Sequence, residues 1–134
     1  MDIRTTLNIT AIDLERRGLP TPWLDAEVLL FHYLRTDRLG LYRHPERSLA
    51  DEEIRAFRSW VARRQQWEPV AYIVGQKHIW SLVFQVNDQV HVPRPETEVL
   101  VEEVIKVCSE MDYKDPSILD IGTGSGAIGV ALAF

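Results

Sequence analysis

Asp120, Gly122, Gly124 and Gly126 stand two residues apart in a run that reads ILDIGTGSGAIGVALAF. The apolar stretch Ile118–Ile121 reads as a strand, residues 122–126 as a glycine loop, and Ala127 onward as the start of a helix. A strand that turns sharply into a helix brings backbone N–H groups and the positive end of the helix dipole to one point. Glycines permit the turn and let a ligand lie against bare backbone. Two registers overlap. Gly124, Gly126 and Gly129 match GxGxxG, the dinucleotide pattern. Gly122, Gly124 and Gly126 match GxGxG, with the Asp120 carboxylate ahead of them.

Position and charge favour the second register. In the dinucleotide motif the first glycine directly follows the strand. Gly122 holds that place here, and read from it the pattern fails at Ala127. A pyrophosphate would also meet Asp120, and like charges repel in a partly desolvated site. A cationic amino-acid end would be attracted instead, and S-adenosylmethionine has one, an ammonium near a sulfonium. The same carboxylate could equally brace or cap the loop. A dinucleotide-dependent oxidoreductase remains the alternative at this point. A Walker phosphate loop is excluded, because no Gly-Lys-Ser/Thr follows.

The elements that position this loop are legible from periodicity. Ile3, Leu7, Ala11 and Leu14 share one face of a helix over residues 2–17, and Gly18 suits the left-handed position past its end. Thr21-Pro22 signals a second helix, to about Leu34, that buries Ala26, Leu29, Leu30 and Tyr33. A short helix is expected near Arg38–Tyr42. A fourth opens at Asp51-Glu52-Glu53, buries Ile54, Phe57 and Val61, and ends at Pro69. Tyr72–Val74 and Ile79–Val86 are rich in β-branched and aromatic residues, Asn87-Asp88 is a turn signal, and Val90–Val92 resumes the strand pattern. These predict a β-hairpin. Pro95-Glu96-Thr97-Glu98 then starts a helix whose buried face is Leu100, Val101, Val104, Ile105 and Cys108.

Charge is unevenly placed. Residues 1–80 carry 12 Lys/Arg and 11 Asp/Glu, whereas residues 81–134 carry 3 and 9. The acidic second part argues against a surface that tracks phosphates, and Arg16-Arg17 and Arg63-Arg64 read as solvated helix faces, so no direct nucleic-acid binding is expected. No apolar run approaches the roughly 20 residues that span a bilayer. Met1-Asp2-Ile3-Arg4 is not a secretory signal, and a single cysteine, Cys108, excludes an internal disulfide and reads as a small core residue. A cytoplasmic protein is the expectation. His32, His44 and His78 lack ligand spacing, so no metal is expected.

Several segments together carry a family resemblance. Glu68-Pro69-Val70-Ala71-Tyr72-Ile73-Val74-Gly75 with Trp80-Ser81-Leu82, Val92-Pro93-Arg94-Pro95-Glu96-Thr97-Glu98, and Leu119 through Ile128 occur in order, and Asp25–Leu30 resembles the family's second helix. The chain resembles the bacterial PrmC/HemK family, the release-factor glutamine methyltransferases. The resemblance implies an α/β fold overall. Residues 1–70 would be a helical substrate-recognition domain and residues 71–93 a β-hairpin connector. Residues 94–134 would begin a class I, Rossmann-like, S-adenosylmethionine-dependent methyltransferase domain, with its first strand and glycine loop.

It also implies transfer of a methyl group from S-adenosyl-L-methionine to the glutamine amide nitrogen in the Gly-Gly-Gln motif of peptide chain release factors. Gly122, Thr123, Gly124, Ser125 and Gly126 carry over as the donor-binding loop, with Asp120 beside them. Arg94, Thr97, Glu98 and His91 are candidates for the substrate side. For Arg94–Glu98 the equal alternative is structural: a helix start at Pro95-Glu96, with Arg94 bracing a carboxylate. His91 also reads as a half-buried strand residue, and Trp80 as packing. The family's acidic ribose-binding residue and its Asn-Pro-Pro-Tyr acceptor loop do not occur in this chain. No catalytic residue is therefore assigned, and the chain is expected to be truncated and inactive alone. The other readings are a methyltransferase acting on a ribosomal-protein glutamine or a nucleic-acid amine, and a helical protein-binding module without catalysis.

Overall fold

A computed structural model describes residues 1–133; Phe134, the last residue of the expected glycine-loop helix, lies outside them. The described residues are mostly helical, with one two-stranded antiparallel hairpin. They divide into two compact units, Met1–Val74 and Gly75–Phe134.

The first unit holds five helices: α1 (Ile3–Arg16), α2 (Pro22–Tyr33), α3 (Arg38–Arg43), α4 (Asp51–Gln65) and α5 (Val70–Val74). Their stripes meet as the periodicity requires. Ile3, Leu7, Ala11 and Leu14 of α1 join Ala26, Leu29 and Leu30 of α2, Leu41 of α3, and Ile54, Phe57 and Val61 of α4 in one buried core. Tyr33 is only partly buried and packs edge-on against Trp60. Gly18, at φ 75°, closes α1, and its N–H donates to the Glu15 carbonyl. The Thr21-Pro22 signal would make the Thr21 hydroxyl a cap for α2, but that hydroxyl forms no cap. It donates to Asp25 instead, because that carboxylate needs donors inside the unit.

The N-terminus is pinned twice. Asp2 caps α1 by accepting the Thr5 N–H at 2.7 Å, while the Ile3 and Arg4 N–H groups donate to the Arg47 and Pro45 carbonyls. The hydrogen bond from Thr5 holds the Asp2 carboxyl below the usual carboxylate range. A folded pKa below the unfolded one stabilises above the unfolded value, and that contribution is lost as pH falls through the folded one. The melting temperature should therefore drop as pH falls below about 4. An Asp2→Asn variant, which caps without titrating, should show a flatter acid limb in calorimetry. Equal slopes would mean that Asp2 is no cap in solution.

The second unit differs from expectation in several places. Strands β1 (Gln76–Ile79) and β2 (Leu82–Gln85) pair from Gln76↔Gln85 to Ile79↔Leu82. The turn is thus Trp80-Ser81, not Asn87-Asp88. Trp80 is half-exposed at its apex with φ 53°, rather than packed inside. Tyr72–Val74 is helical, not strand, because Ile73 buries its side chain in the helical core of the first unit. Val90–Val92, expected to resume the strand pattern, forms no strand among the described residues. Helix α6 (Glu96–Glu110) forms as expected, but only Val101 is fully buried; Leu100 and Ile105 are exposed, and Cys108 is half-buried. Ile118–Ile121 also forms no strand among the described residues. A lone strand has no ladder partner, and Leu119 and Ile121 stand 83% and 86% exposed. Helix α7 (Ala127–Ala133) follows, and its Ala127 packs with Ile79, Leu82 and Phe84 of the hairpin.

Candidate functional site

Gly122, Gly124 and Gly126 have φ of 78°, 56° and 76°, the left-handed region that L side chains rarely enter. The loop is therefore built on its glycines and not merely tolerant of them. The Gly126 N–H donates to the Thr123 carbonyl at 2.8 Å, closing the turn, and the Gly126 carbonyl accepts the first α7 bond from Val130. A Cβ at Gly122 would meet nothing within 4 Å. The bare backbone is open to a ligand.

Asp120 lies beside α7, its Oδ2 3.8 Å from where a Cβ on Gly129 would stand. That oxygen is shielded from solvent and has no hydrogen-bond partner, and Ser125 Oγ is in the same condition. Buried polar atoms are nearly always paired, so two orphans on one loop mark places where a donor is missing. An ammonium would supply donors and the opposite charge to Asp120. Asp120 and Gly129 also help line a cavity of about 230 Å³ with Pro116, Ile118, Leu132 and Ala133. Small-molecule sites usually run from about 300 to 1,000 Å³, so this cavity suits part of a ligand. The loop and its orphaned acceptors fit the amino-acid end of S-adenosylmethionine.

The remaining candidates are less gathered. Glu98 Oε1 accepts the Trp80 N–H at 3.0 Å, which ties α6 to the hairpin turn. Thr97 sits in the first turn of α6, with its N–H on the Arg94 carbonyl. Arg94 is exposed and, among the described residues, braces no carboxylate; His91 is exposed as well. Among the described residues no hydrogen bond or ion pair joins residues 91–98 to residues 120–126. No group of three or more potential metal ligands occurs among them, and no helix is long and apolar enough to cross a membrane.

Sequence reasoning passed over two buried acids in α2. Asp25 is paired with Arg64 of α4, Nε to Oδ2 at 2.7 Å. Glu27 accepts from Trp23 Nε1 at 3.2 Å, from Arg38 Nη2, and from the Tyr42 hydroxyl. Its Oε2 lies 2.9 Å from Arg38 Nη2 as an ion pair without the alignment of a hydrogen bond. The hydrogen bond to Glu27, and then burial, raise the Tyr42 pKa and keep the phenol a donor. The signal was present: two acids inside the apolar run Pro22-Trp23-Leu24-Asp25-Ala26-Glu27-Val28-Leu29-Leu30 demand partners.

A family profile described as the PrmC N-terminal domain matches residues 6–75. A protein of Shewanella oneidensis named release factor glutamine methyltransferase is 50% identical over 110 residues, which cover 82% of this chain and 37% of that protein. Relatives of the same name from Aliivibrio fischeri and Chlorobaculum tepidum are 40% and 42% identical. They align with 99% and 96% of this chain, and with 46% and 45% of their own lengths. The chain thus spans less than half the length of these relatives.

Proposed function

We infer the function from one premise, that this chain belongs to the PrmC N-terminal domain family. It is the N-terminal portion of an enzyme that methylates the side-chain amide nitrogen of the Gly-Gly-Gln glutamine in peptide chain release factors. Residues 1–70 recognise that protein, residues 71–93 connect, and residues 94–134 begin a class I methyltransferase domain. The observation that carries the reading is the orphaned Asp120 oxygen beside three left-handed glycines.

The chain's part in the reaction is to hold the donor. Gly122, Thr123, Gly124, Ser125 and Gly126 present bare backbone to the methionine end, and Ser125 Oγ is available to it. Asp120 accepts from the ammonium and fixes its orientation, so that binding energy positions the reacting carbon rather than merely retaining the ligand. When bound, S-adenosylmethionine supplies an electrophilic methyl group on a sulfonium. Arg94, Thr97, Glu98 and His91 belong to the substrate side, with Glu98 acting through the hairpin turn it holds. The groups that align the amide nitrogen lie outside residues 1–134, since this sequence has no Asn-Pro-Pro-Tyr segment.

A chimera tests this. Replacing the matching N-terminal segment of the Aliivibrio fischeri relative by this chain, which aligns along 99% of its length, should give an enzyme that adds one methyl group to the release-factor glutamine, read by peptide mass spectrometry. An inactive but folded chimera would favour a second reading. In it the helical unit, which has its own closed core, only binds a protein.

A further inference from the structure

A carboxylate buried in a small helical unit is costly, and an apolar side chain at Glu27 would hold α2 against α3 as well. What Glu27 adds is orientation. It is 1% exposed, yet its three partners are surface residues: Trp23 is 42% exposed, Tyr42 50%, and the Arg38 side chain 64%. The buried acid turns the indole N–H, the phenol and one guanidinium nitrogen inward, and so fixes the rings and the rest of the guanidinium at the surface. Trp, Tyr and Arg are the residue types that dominate binding hot spots, and side chains fixed beforehand lose less freedom on binding.

Beside this trio is a cavity of about 260 Å³ lined by Arg4, Leu7, Trp23, Leu41, Tyr42 and Pro45. It has room for a side chain or two, below the range for a whole small molecule. No acid lines it. Arg4 makes no salt bridge among the described residues, and its backbone is anchored by the N–H donated to Pro45. Arg4 is within electrostatic reach of the Asp2 carboxylate, which is engaged in capping α1, and a guanidinium held in no salt bridge in the lining of an apolar pocket selects a carboxylate on whatever enters.

We propose that this patch docks the protein substrate through a segment that carries an apolar side chain next to a carboxylate, the apolar group entering the cavity and the carboxylate meeting Arg4. The inference rests on the release-factor reading above. If Glu27 served only to tie α3 to α2, Arg4 would be irrelevant to binding, because it is not one of the groups that Glu27 pairs with.

The chimera separates the two. Arg4→Glu, an exposed change, should raise KM for release factor about tenfold at unchanged kcat; Trp23→Ala should do likewise, and Arg4→Lys should retain most of the affinity. Circular dichroism identical to the parent shows that folding is intact. An active chimera whose KM is unmoved by both Arg4→Glu and Trp23→Ala overturns the docking surface and leaves the enzyme reading standing. An inactive parent chimera overturns the enzyme reading. Calorimetry of release factor with this chain then decides the surface: affinity lost in Arg4→Glu sustains it, and equal affinity or no binding sinks it.

Discussion

Arg64→Leu should destabilise the helical unit by about 3–5 kcal/mol, measured by urea unfolding followed in the far ultraviolet. Arg64 and Asp25 are 11% and 8% exposed, and the guanidinium also donates to the Glu68 carbonyl at 3.0 Å. Leucine would leave the Asp25 carboxylate buried and without its cationic partner, keeping the Thr21 hydroxyl, which donates to Oδ1 at 2.9 Å. One neutral donor does not replace a guanidinium against the desolvation of a charge. Small domains have roughly 5–15 kcal/mol in all, so the variant should stand near the edge of folding. The companion Asp25→Leu/Arg64→Leu should recover most of the loss, since removing both charges leaves nothing to desolvate. A loss below about 1 kcal/mol in the single variant would mean that the pair behaves as a surface salt bridge.

Gly124→Val in the chimera should weaken donor binding at least about a hundredfold by calorimetry, with methyl transfer falling accordingly. The residue sits at φ 56°, where a β-branched side chain costs about 1–2 kcal/mol. Its added Cβ would meet only the Gly122 carbonyl oxygen, at 4.0 Å. The protein itself therefore has room for the side chain, and the melting temperature should fall only modestly. Under the proposed function, the space the methyls fill is the one the donor needs. Gly124→Ala should fall between the two. Full donor affinity in Gly124→Val would place the donor elsewhere and remove Asp120 and the loop from the proposed function.

The two predictions differ in how far the sequence led to them. The glycine loop is local. Gly122, Gly124 and Gly126 announce left-handed backbone by being glycine, and Asp120 stands two residues ahead of them. The Asp25–Arg64 pair joins residues 39 apart, and no local pattern says which arginine of several faces that acid. Helix α6 shows a related limit. Its periodicity marks an apolar stripe, but burial needs a second surface, and only Val101 is covered. For Tyr72–Val74, β-propensity favoured a strand, yet Ile73 gains more by packing as a helix in an existing core than by extending a hairpin. The true hairpin turn, Trp80-Ser81, has no Gly, Asn or Asp of the kind that marks a two-residue hairpin, so it was passed over for Asn87-Asp88.

By itself, then, the sequence determined the first four helices, the core residues of α1, α2 and α4, and the left-handed backbone of the loop, because helical period and glycine content act within a few residues. Only the tertiary structure decided where the hairpin turns, which acids are buried, and that Glu27 holds Trp23, Arg38 and Tyr42 in one patch. The physical reason is burial. A carboxylate's cost and a strand's pairing depend on groups brought close by folding, and those groups are distant along the chain.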